Sequence, residues 1–487
     1  MKKRSLGLNG LLNGIRSVLN LLFPLITFPY VARVLSVDGL GIYNFSNTYV
    51  GYFVLIAGLG ISTYAVREGA KYRDNREKIS KFVSEVITIN IISTILAYIL
   101  LLISLVLFKA LYKYAICILV FSVQIAFTTI GVEWVFIIYE DYAYITIRSI
   151  LVKIVSIVLL FVFVKNRNDY LWYAGITVFA SVGSNVFNFF YVKKLCEIKP
   201  TFNFNWKYHL KPILVIFATT IAVNIYLSSD TTILGFMKSD YDVGIYGTTV
   251  KIYNIVASLL GSMVAVTVPR LSMLLGKNKI EEYRKVFSEV VNILTAFVIP
   301  GTVGLIMLSK EIVLLIAGNK YLPAVSSLRI IGLAIIFSNF SFIFSNCALI
   351  PAKREILALK NTLITAVLNI LLNILLIPAY SYAGTSFSTV IAEFMTMILN
   401  YWSARDLIKN SIFSNSVKHN LCTTVIGSTT IIIVCWLCTY FLQSLIIKIL
   451  VAVILSSISY FCVLIVLRNS LAIQYLQSLK RRLFGKE

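Results

Sequence analysis

The feature that most constrains this chain is a series of continuous apolar segments, each long enough to cross a membrane as a helix. A helix needs about 20 apolar residues to cross roughly 30 Å of hydrocarbon. β-Barrel strands would alternate polar and apolar residues, and these segments do not. About fourteen of them follow one another, near 13–34, 41–65, 86–108, 115–139, 147–165, 170–192, 213–236, 243–269, 289–308, 324–350, 359–378, 382–403, 421–441 and 445–467. The pattern predicts an all-α, polytopic membrane protein with about 14 transmembrane helices.

Composition excludes the soluble alternatives. Of 487 residues, 59% are hydrophobic and 13% are charged. A water-soluble globule of this size needs more polar surface than such a chain supplies. A soluble enzyme, a disordered chain and a disulfide-stapled secreted domain are therefore all excluded.

The charge is strongly positive, with 44 Lys and Arg against 21 Asp and Glu. If the first span begins in the cytoplasm, 33 of the 44 basic residues fall in inner connections, at the inner ends of spans or in the basic termini. Cytoplasmic loops collect Lys and Arg, so both termini are predicted to be cytoplasmic and nucleic acid is not needed to explain the charge. The first segment is interpreted as a span rather than a cleaved signal peptide. The other eleven basic residues are Arg33, Lys109, Lys113, Lys165, Arg167, Lys238, Lys251, Lys310, Lys320, Arg329 and Lys448.

Short sequence matches recur at a nearly constant spacing. The offset is 203 for Gly-Ile-Tyr at 41 and 244 and for Arg67 and Arg270, 204 for Ser-Glu-Val at 84 and 288, and 207 for Lys153 and Lys360. This spacing is about six spans, so the two halves point the same way. The repeat predicts two six-helix lobes, 1–200 and 201–410, followed by two additional spans and a basic tail, 411–487. Parallel repeats of this kind place a substrate cavity between the lobes and work by alternating access.

Two stretches, VARVLSVDGLGIYNFSNTYVGYFVLIAGLG (31–60) and AVREGAKYRDNREKISKFVSEV (65–86), resemble polysaccharide flippases of the Wzx type (O-antigen and teichoic-acid flippases). SSDTTILG (228–235) is similar to the second lobe of that family, whose superfamily also contains multidrug-and-toxin exporters and the lipid II flippase. The resemblance implies a flippase in the bacterial plasma (inner) membrane that moves undecaprenyl-pyrophosphate-linked oligosaccharides outward. It also implies a monomer, surrounded by membrane lipids, with polysaccharide polymerase and chain-length proteins as partners.

Charges inside spans are costly, so they are expected to face a cavity or a partner. Lys251 lies about 12 Å into the eighth span and Arg329 about 8 Å into the tenth, by the rise of an α-helix. Arg16, Lys153 and Lys360 open the first, fifth and eleventh spans. All five are candidates to bind a pyrophosphate, and those at helix ends have snorkelling to lipid headgroups as the alternative. Inner-mouth candidates are Arg67 and Arg270, with anchoring to headgroups as the alternative.

Carboxylates within spans are candidates for ion coupling. Asp230 and Glu393 are expected to load and release H⁺ or Na⁺, and a structural partnership with a buried cation is the alternative. For Glu133 the structural role is the better hypothesis. Pro24 and Pro29 interrupt the first span and predict either a hinge or a static kink.

The sequence holds no signature of catalysis or cofactor binding. Cys435 and Cys438 are interpreted as small apolar helix residues rather than a metal or redox pair. His209 and His419, the only histidines, are predicted to lie in inner loops and cannot build a histidine cluster. No phosphate-binding loop occurs. We therefore expect no catalytic residue, no metal, no cofactor and no enzymatic activity.

Several other functions remain open at this stage. One is a cation-coupled multidrug exporter of the same superfamily, although the first span has no acidic residue. Another is a flippase for a different lipid-linked glycan. A membrane glycosyltransferase or polymerase would need a larger outer loop than 309–323, and an uncoupled scramblase is compatible with the sequence.

Overall fold

The computed structural model describes residues 6–473 and 475–477, and within them the chain is built from helices. The basic ends, with Lys2, Lys3, Arg4 and Lys480 to Lys486, lie outside the described residues. The helices are α1 Leu6–Val34, α2 Val37–Gly58, α3 Ile61–Gly69, α4 Arg76–Leu107, α5 Ala115–Gly131, α6 Glu133–Ile138, α7 Tyr142–Phe163, α8 Tyr170–Val182, α9 Asn185–Val192, α10 Trp206–Met237, α11 Asp240–Ala265, α12 Val268–Gly276, α13 Ile280–Met307, α14 Ser309–Ile316, α15 Ala324–Gly332, α16 Ala334–Ile343, α17 Glu355–Ile412, α18 Asn415–Phe441 and α19 Leu445–Val466.

Twelve helical segments among the described residues are long and apolar enough to cross a membrane. The predicted count of fourteen is therefore not confirmed, although the all-helical membrane fold is. Two features account for the difference. Helix α1 is continuous from Leu6 to Val34 through Pro24 and Pro29, and only its apolar stretch Leu22–Val34, too short to count among the twelve, enters this comparison. Helix α17 carries two of the predicted spans in one element.

Helix α17 is a helical hairpin rather than one rod. Its 58 residues would measure about 87 Å if straight, nearly three times the hydrocarbon thickness. The backbone leaves the helical region at Ser381, with φ 47° and ψ −132°. Three cross-pairs are all centred on residues 380–381, as antiparallel arms require: Arg354–Asp406 at 2.7 Å, Asn361–Asn400 at 2.9 Å and Asn373–Ser388 at 2.6 Å. The arms correspond to the predicted spans 359–378 and 382–403.

Side-chain caps fix several helix starts. Ser36 accepts from Gly39 N–H at 3.1 Å and Asn75 from Lys78 N–H at 3.0 Å, so these oxygens satisfy N–H groups that have no partner within the first turn. Helix α2 ends where Leu59 and Gly60 both adopt left-handed backbone angles. The short helix α3 follows directly, and the short helix α12 likewise follows α11. A basic segment and then a long helix, α4 or α13, come next in each case. The order of elements therefore repeats, as the sequence offsets predicted.

The chain divides into two compact units, residues 1–244 and 245–487. Within the first unit, the start of α2 crosses the start of α11 at very short range. A methyl group on Gly41 would overlap the carbonyl oxygen of Asp240, and one on Gly244 would overlap the carbonyl oxygen of Val37. Both pairs of equivalent positions, 41 and 244 and 37 and 240, are 203 residues apart. The two glycines of the repeated Gly-Ile-Tyr motif therefore serve the same purpose, which is to let two backbones touch.

In the second unit, buried amides join α18 to α13 and the segment after α19 to α18. Asn420 donates from Nδ2 to the carbonyl oxygen of Asn292 at 3.0 Å, and Asn469 donates to Asn420 Oδ1 at 2.6 Å. Hydrogen bonds between helices are a main source of specificity in an apolar solvent. The last two helices are thus an integral part of this unit.

The glycine crossing gives a direct prediction about stability. Gly41→Ala and Gly244→Ala should each destabilise the folded protein by about 1–3 kcal/mol, because the obstructing atoms belong to backbone and cannot rotate away. The matched control is Gly51→Ala in the same helix α2, where a methyl group meets open space. Thermal unfolding of the purified protein should show a lower midpoint for the first two variants only. Equal midpoints for Gly41→Ala and Gly51→Ala would contradict the close crossing.

Candidate functional site

The five candidate cations lie on five different helices. Lys153 is the twelfth residue of α7, about 17 Å from the helix start, because α7 begins at Tyr142 rather than near 147. It is half-buried, and its ammonium group lies 5.9 Å from the ring centre of Phe23 in α1. Lys153 is thus deep in its span and in cation–π range of the first helix. The side chain of Arg16, also in α1, lies outside the described residues.

The remaining cations belong to the second unit. Lys251 is the twelfth residue of α11, about 17 Å from its start, and is half-buried. Arg329 is exposed and donates from Nε to Ser309 Oγ at 2.9 Å, which ties α15 to the start of α14. Lys360 is exposed, in the second turn of α17. Of these three, Lys251 is the one that α11 places within the middle of a membrane-spanning helix.

Arg67 and Arg270 occupy equivalent short helices. Both are exposed, and Arg67 Nε lies 3.4 Å from Glu68 Oε1. Helices α3 and α12 contain nine residues each and follow the second long helix of each repeat, α2 or α11. The sequence repeat therefore corresponds to an equivalent placement of the two arginines on the helices.

The intramembrane carboxylates differ in their surroundings. Asp230 is buried in the last third of α10, two residues before Thr232, whose hydroxyl bonds to Tyr52 at 2.9 Å. Glu393 is half-buried in the second arm of the α17 hairpin. Glu133 lies 3.3 Å from a terminal nitrogen of the buried Arg148. This ion pair joins α6 to α7 and gives Glu133 a structural role.

A large apolar cavity lies inside the second unit, between α11, α13, α18 and α19. Its volume is about 790 Å³, and hydrocarbon and aromatic side chains make most of its wall. Val256, Phe297, Ile431, Val453 and Phe461 represent the helices that line it. Small residues create the space, since Pro300, Gly301 and Gly304 leave α13 without bulk and Ser456 and Ser457 do the same for α19. A methyl group on Gly304 would meet no atom within 4 Å.

No sequence pattern predicted this cavity, because its walls come from helices far apart in the chain. The last two spans looked like an addition to the repeat. The structure shows that they supply one side of this large apolar cavity.

Sequence reasoning also missed how the segment between α9 and α10 is held. Its backbone N–H groups at Glu197, Lys199 and Thr201 donate to hydroxyls of Ser80, Ser84 and Thr88 on α4, at 3.0, 3.0 and 2.9 Å. Two residues of extended chain advance about 6.6 Å and four residues of helix about 6.0 Å, so the two spacings match. The sequence signal for this contact was a hydroxyl residue at every fourth position of α4. We call residues 196–204 the docked linker.

His209 completes this attachment and is not a loop residue, contrary to the prediction. It is buried in the first turn of α10, where Nδ1 lies 2.8 Å from the Tyr64 hydroxyl and Nε2 lies 2.9 Å from Glu85 Oε2. Tyr64 belongs to α3 and Glu85 to α4, so the histidine joins three helices of the first unit. A buried polar group is stable only with such partners.

The second unit repeats the arrangement at equivalent positions. Ser288, which is 204 residues after Ser84, donates to the carbonyl oxygen of Ser411 at 3.0 Å. Asn292, 204 residues after Thr88, donates to Ser416 Oγ at 3.2 Å. In each unit, polar residues at every fourth position of one long helix bind the segment that follows the sixth predicted span of that lobe. The long helix is α4 in the first unit and α13 in the second.

This architecture is that of a known class of membrane transporters. Among solved structures, the fold matches a lipid II flippase, MurJ, in an inward closed conformation, with a TM-score of 0.76, 17% identity and coverage of 95% of this chain and 99% of that chain. It also matches an inward-facing multidrug resistance MATE transporter of the MOP superfamily, with a TM-score of 0.58, 15% identity and coverage of 80% and 96%. The fold is therefore that of MurJ and MATE transporters.

Sequence comparison adds the family. Residues 6–275 match the family model described as polysaccharide biosynthesis protein, so the chain belongs to that family. A putative O-antigen transporter of Escherichia coli K12 is 27% identical over 264 residues, which cover 54% of this chain and 64% of that protein. A probable low-salt glycan biosynthesis flippase of Haloferax volcanii is 26% identical over 35% of this chain and 36% of its own length. A putative O-antigen transporter of Shigella dysenteriae is 24% identical over 78% of this chain and 95% of its own length.

The hydroxyl ladder of α4 predicts how the docked linker responds to mutation. A Ser80→Ala, Ser84→Ala, Thr88→Val triple variant should leave three linker N–H groups without acceptors, and each lost bond costs about 1 kcal/mol. Hydrogen exchange at residues 197–201 should then accelerate, while exchange in α4 itself stays slow. Ser104→Ala is the matched control, because that hydroxyl donates to the Leu101 carbonyl within α4 and lies sixteen residues beyond Thr88 on the same helix. Unchanged linker exchange in the triple variant would show that the hydroxyls do not hold the linker.

Proposed function

We propose that this protein is a flippase that moves a lipid-linked oligosaccharide across the bacterial plasma membrane, without enzymatic chemistry and with both termini in the cytoplasm. The observation that carries the proposal is the 790 Å³ apolar cavity between α11, α13, α18 and α19. Family membership and the names of its relatives, O-antigen transporters and glycan flippases, support a glycan cargo.

A long hydrocarbon chain explains the character of the cavity. Its wall is predominantly apolar, and it is lined by two helices, α18 and α19, that lie beyond the sequence repeat. A sugar would need polar partners around it, whereas a polyisoprenoid chain needs only dispersion contacts and exclusion of water. We assign the cavity to the lipid part of an undecaprenyl-pyrophosphate-linked oligosaccharide.

The pyrophosphate requires cations within the spans. We propose Lys251, Lys153 and Arg16 as intramembrane contacts for it, with Arg329 and Lys360 nearer the helix ends. Arg67 and Arg270 are proposed at the inner mouth, where both are exposed on short helices. Arginine grips phosphate oxygens in a bidentate fork and lysine supplies a point charge.

Transport is proposed to follow alternating access between two lobes, 1–200 and 201–410. Pro24 and Pro29 are the proposed hinge residues of α1, and Asp230 and Glu393 are the proposed sites for H⁺ or Na⁺. Moving about two negative charges outward through 100 mV releases roughly 4–5 kcal/mol. Coupling to H⁺ or Na⁺ would then drive the return of the empty protein to its inward-facing state rather than the outward movement of the cargo. We propose that it works as a monomer beside a polysaccharide polymerase and a chain-length protein.

Filling the cavity tests the proposal. Gly304→Leu should place a side chain in the space and displace part of the lipid chain, which at ~0.8 kcal/mol per methylene weakens binding roughly tenfold for two groups. The measurement is translocation of an undecaprenyl-pyrophosphate-linked glycan in proteoliposomes that contain the purified protein.

Gly175→Leu is the matched control, since it also lies within a spanning helix and faces open space. We expect it to transport like the unmodified chain. Normal transport by Gly304→Leu would remove the cavity from the path of the lipid. Transport of cationic drugs in place of the lipid-linked glycan would favour a multidrug exporter.

A further inference from the structure

A second cavity opens beside the apolar one, at the end of the second unit where α14 begins and α18 turns into α19. It has a volume of about 400 Å³, and its polar wall includes Lys310, Glu311, Asn319, Gln443 and Lys448. Helix α13 has 28 residues and is about 42 Å long. The basic segment 270–285 lies at its start, and the second cavity lies at its other end. We call it the polar end cavity.

Helices α14 and α19 each contribute residues to the lining of both cavities. Glu311 lines the polar end cavity and Ile312, the next residue of α14, lines the apolar cavity. On α19, Lys448 lines the first and Ala452, one helical turn later, lines the second. A molecule with an apolar chain and a polar head would therefore contact a polar and an apolar surface that lie about 6 Å apart along α19.

The charge at this end is not explained by membrane topology. Of the eleven basic residues outside the inner connections and termini, four lie here: Lys310, Lys320, Arg329 and Lys448. Lys310 is exposed, and no ion pair joins it to a residue that the structure describes. Lys448 is 17% exposed and sits 3.9 Å from Glu311, a distance beyond normal hydrogen bonding. Two ammonium groups thus share one cavity with a single, loosely paired carboxylate.

We propose that the polar end cavity is a binding site for the phosphate headgroup of an isoprenyl phosphate whose chain lies in the adjoining apolar cavity. Lys310 and Lys448 provide charge, and Asn319 and Gln443 provide amide donors. On the proposed topology this end faces outward, so the site would hold the headgroup before release. The inference rests on the proposed function for its lipid, but not for its anion chemistry.

Glu311 sets how tightly the site holds its ligand. Its side chain is 8% exposed, and its carboxylate competes with a phosphate for Lys448. An incoming anion must displace that partner and tolerate the nearby negative charge, which weakens binding and favours release. Glu311→Gln should therefore bind the anion roughly three- to tenfold more tightly, the range expected for one screened charge at about 6 Å.

The experiment measures binding to the full chain in phosphatidylcholine nanodiscs, with three probes: farnesyl pyrophosphate, farnesol and inorganic pyrophosphate. Farnesyl pyrophosphate should bind most tightly, because it alone uses both cavities. The Lys310→Gln, Lys448→Gln double variant should lose about tenfold or more for both pyrophosphate probes and leave farnesol unchanged. Lys320→Gln is the control, since Lys320 lies in the same segment and does not line the cavity.

The outcomes separate this site from the proposed function. Unchanged pyrophosphate binding in the double variant, or an equal loss in Lys320→Gln, overturns the site. Equal affinity for inorganic and farnesyl pyrophosphate overturns the lipid-headgroup assignment. If the double variant loses the anion while the unmodified chain transports no lipid-linked glycan in proteoliposomes, the site stands and the proposed function fails.

Discussion

Hydrocarbon cannot hydrogen-bond to a peptide group, and the rest of this structure depends on that constraint. Every spanning segment must satisfy its own backbone, so the apolar segments become helices. Helices in lipid gain little from burying apolar side chains against one another, and polar contacts must then fix which helices meet. The buried amides of the α17 hairpin and of Asn292, Asn420 and Asn469 provide such contacts.

The same constraint explains what could be predicted from sequence. Hydropathy identified the two arms of α17 separately, and the contacts centred on residues 380–381 confirm that division. The 203-residue repeat also predicted equivalent glycines, although only the structure shows that each opposes the backbone of the other's helix. Sequence placed Lys153 too near a helix start, because the apolar segment was taken to begin near 147 whereas α7 begins at Tyr142.

Other features depend on which helices become neighbours, and no local pattern encodes that. His209 looked like a loop residue because lysines surround it, yet Tyr64 and Glu85 from two other helices make its burial stable. The apolar cavity is equally invisible in sequence, since its walls come from helices that are far apart in the chain. Its existence changes the interpretation of the last two spans from an addition to a part of the candidate site.

The charge of +23 now divides into parts with different physical meanings. Most of it falls in connections that the proposed topology places inside, as the positive-inside rule predicts, and carries no information about cargo. Lys251 and Lys153 remain in the middle of spanning helices, where a charge is costly and needs a function or a partner. Four more basic residues gather at the end of the second unit that carries the polar end cavity. Of these four, Lys310 and Lys448 line the proposed headgroup site.

The most direct measurement of the central claim is made in cells. Depletion of the protein should cause a lipid-linked oligosaccharide to accumulate on the inner leaflet of the plasma membrane, where it stays inaccessible to probes added from outside. We predict that this intermediate accumulates and that drug export is unchanged. Normal arrival of the lipid-linked glycan at the outer leaflet, together with a loss of drug export, would contradict it.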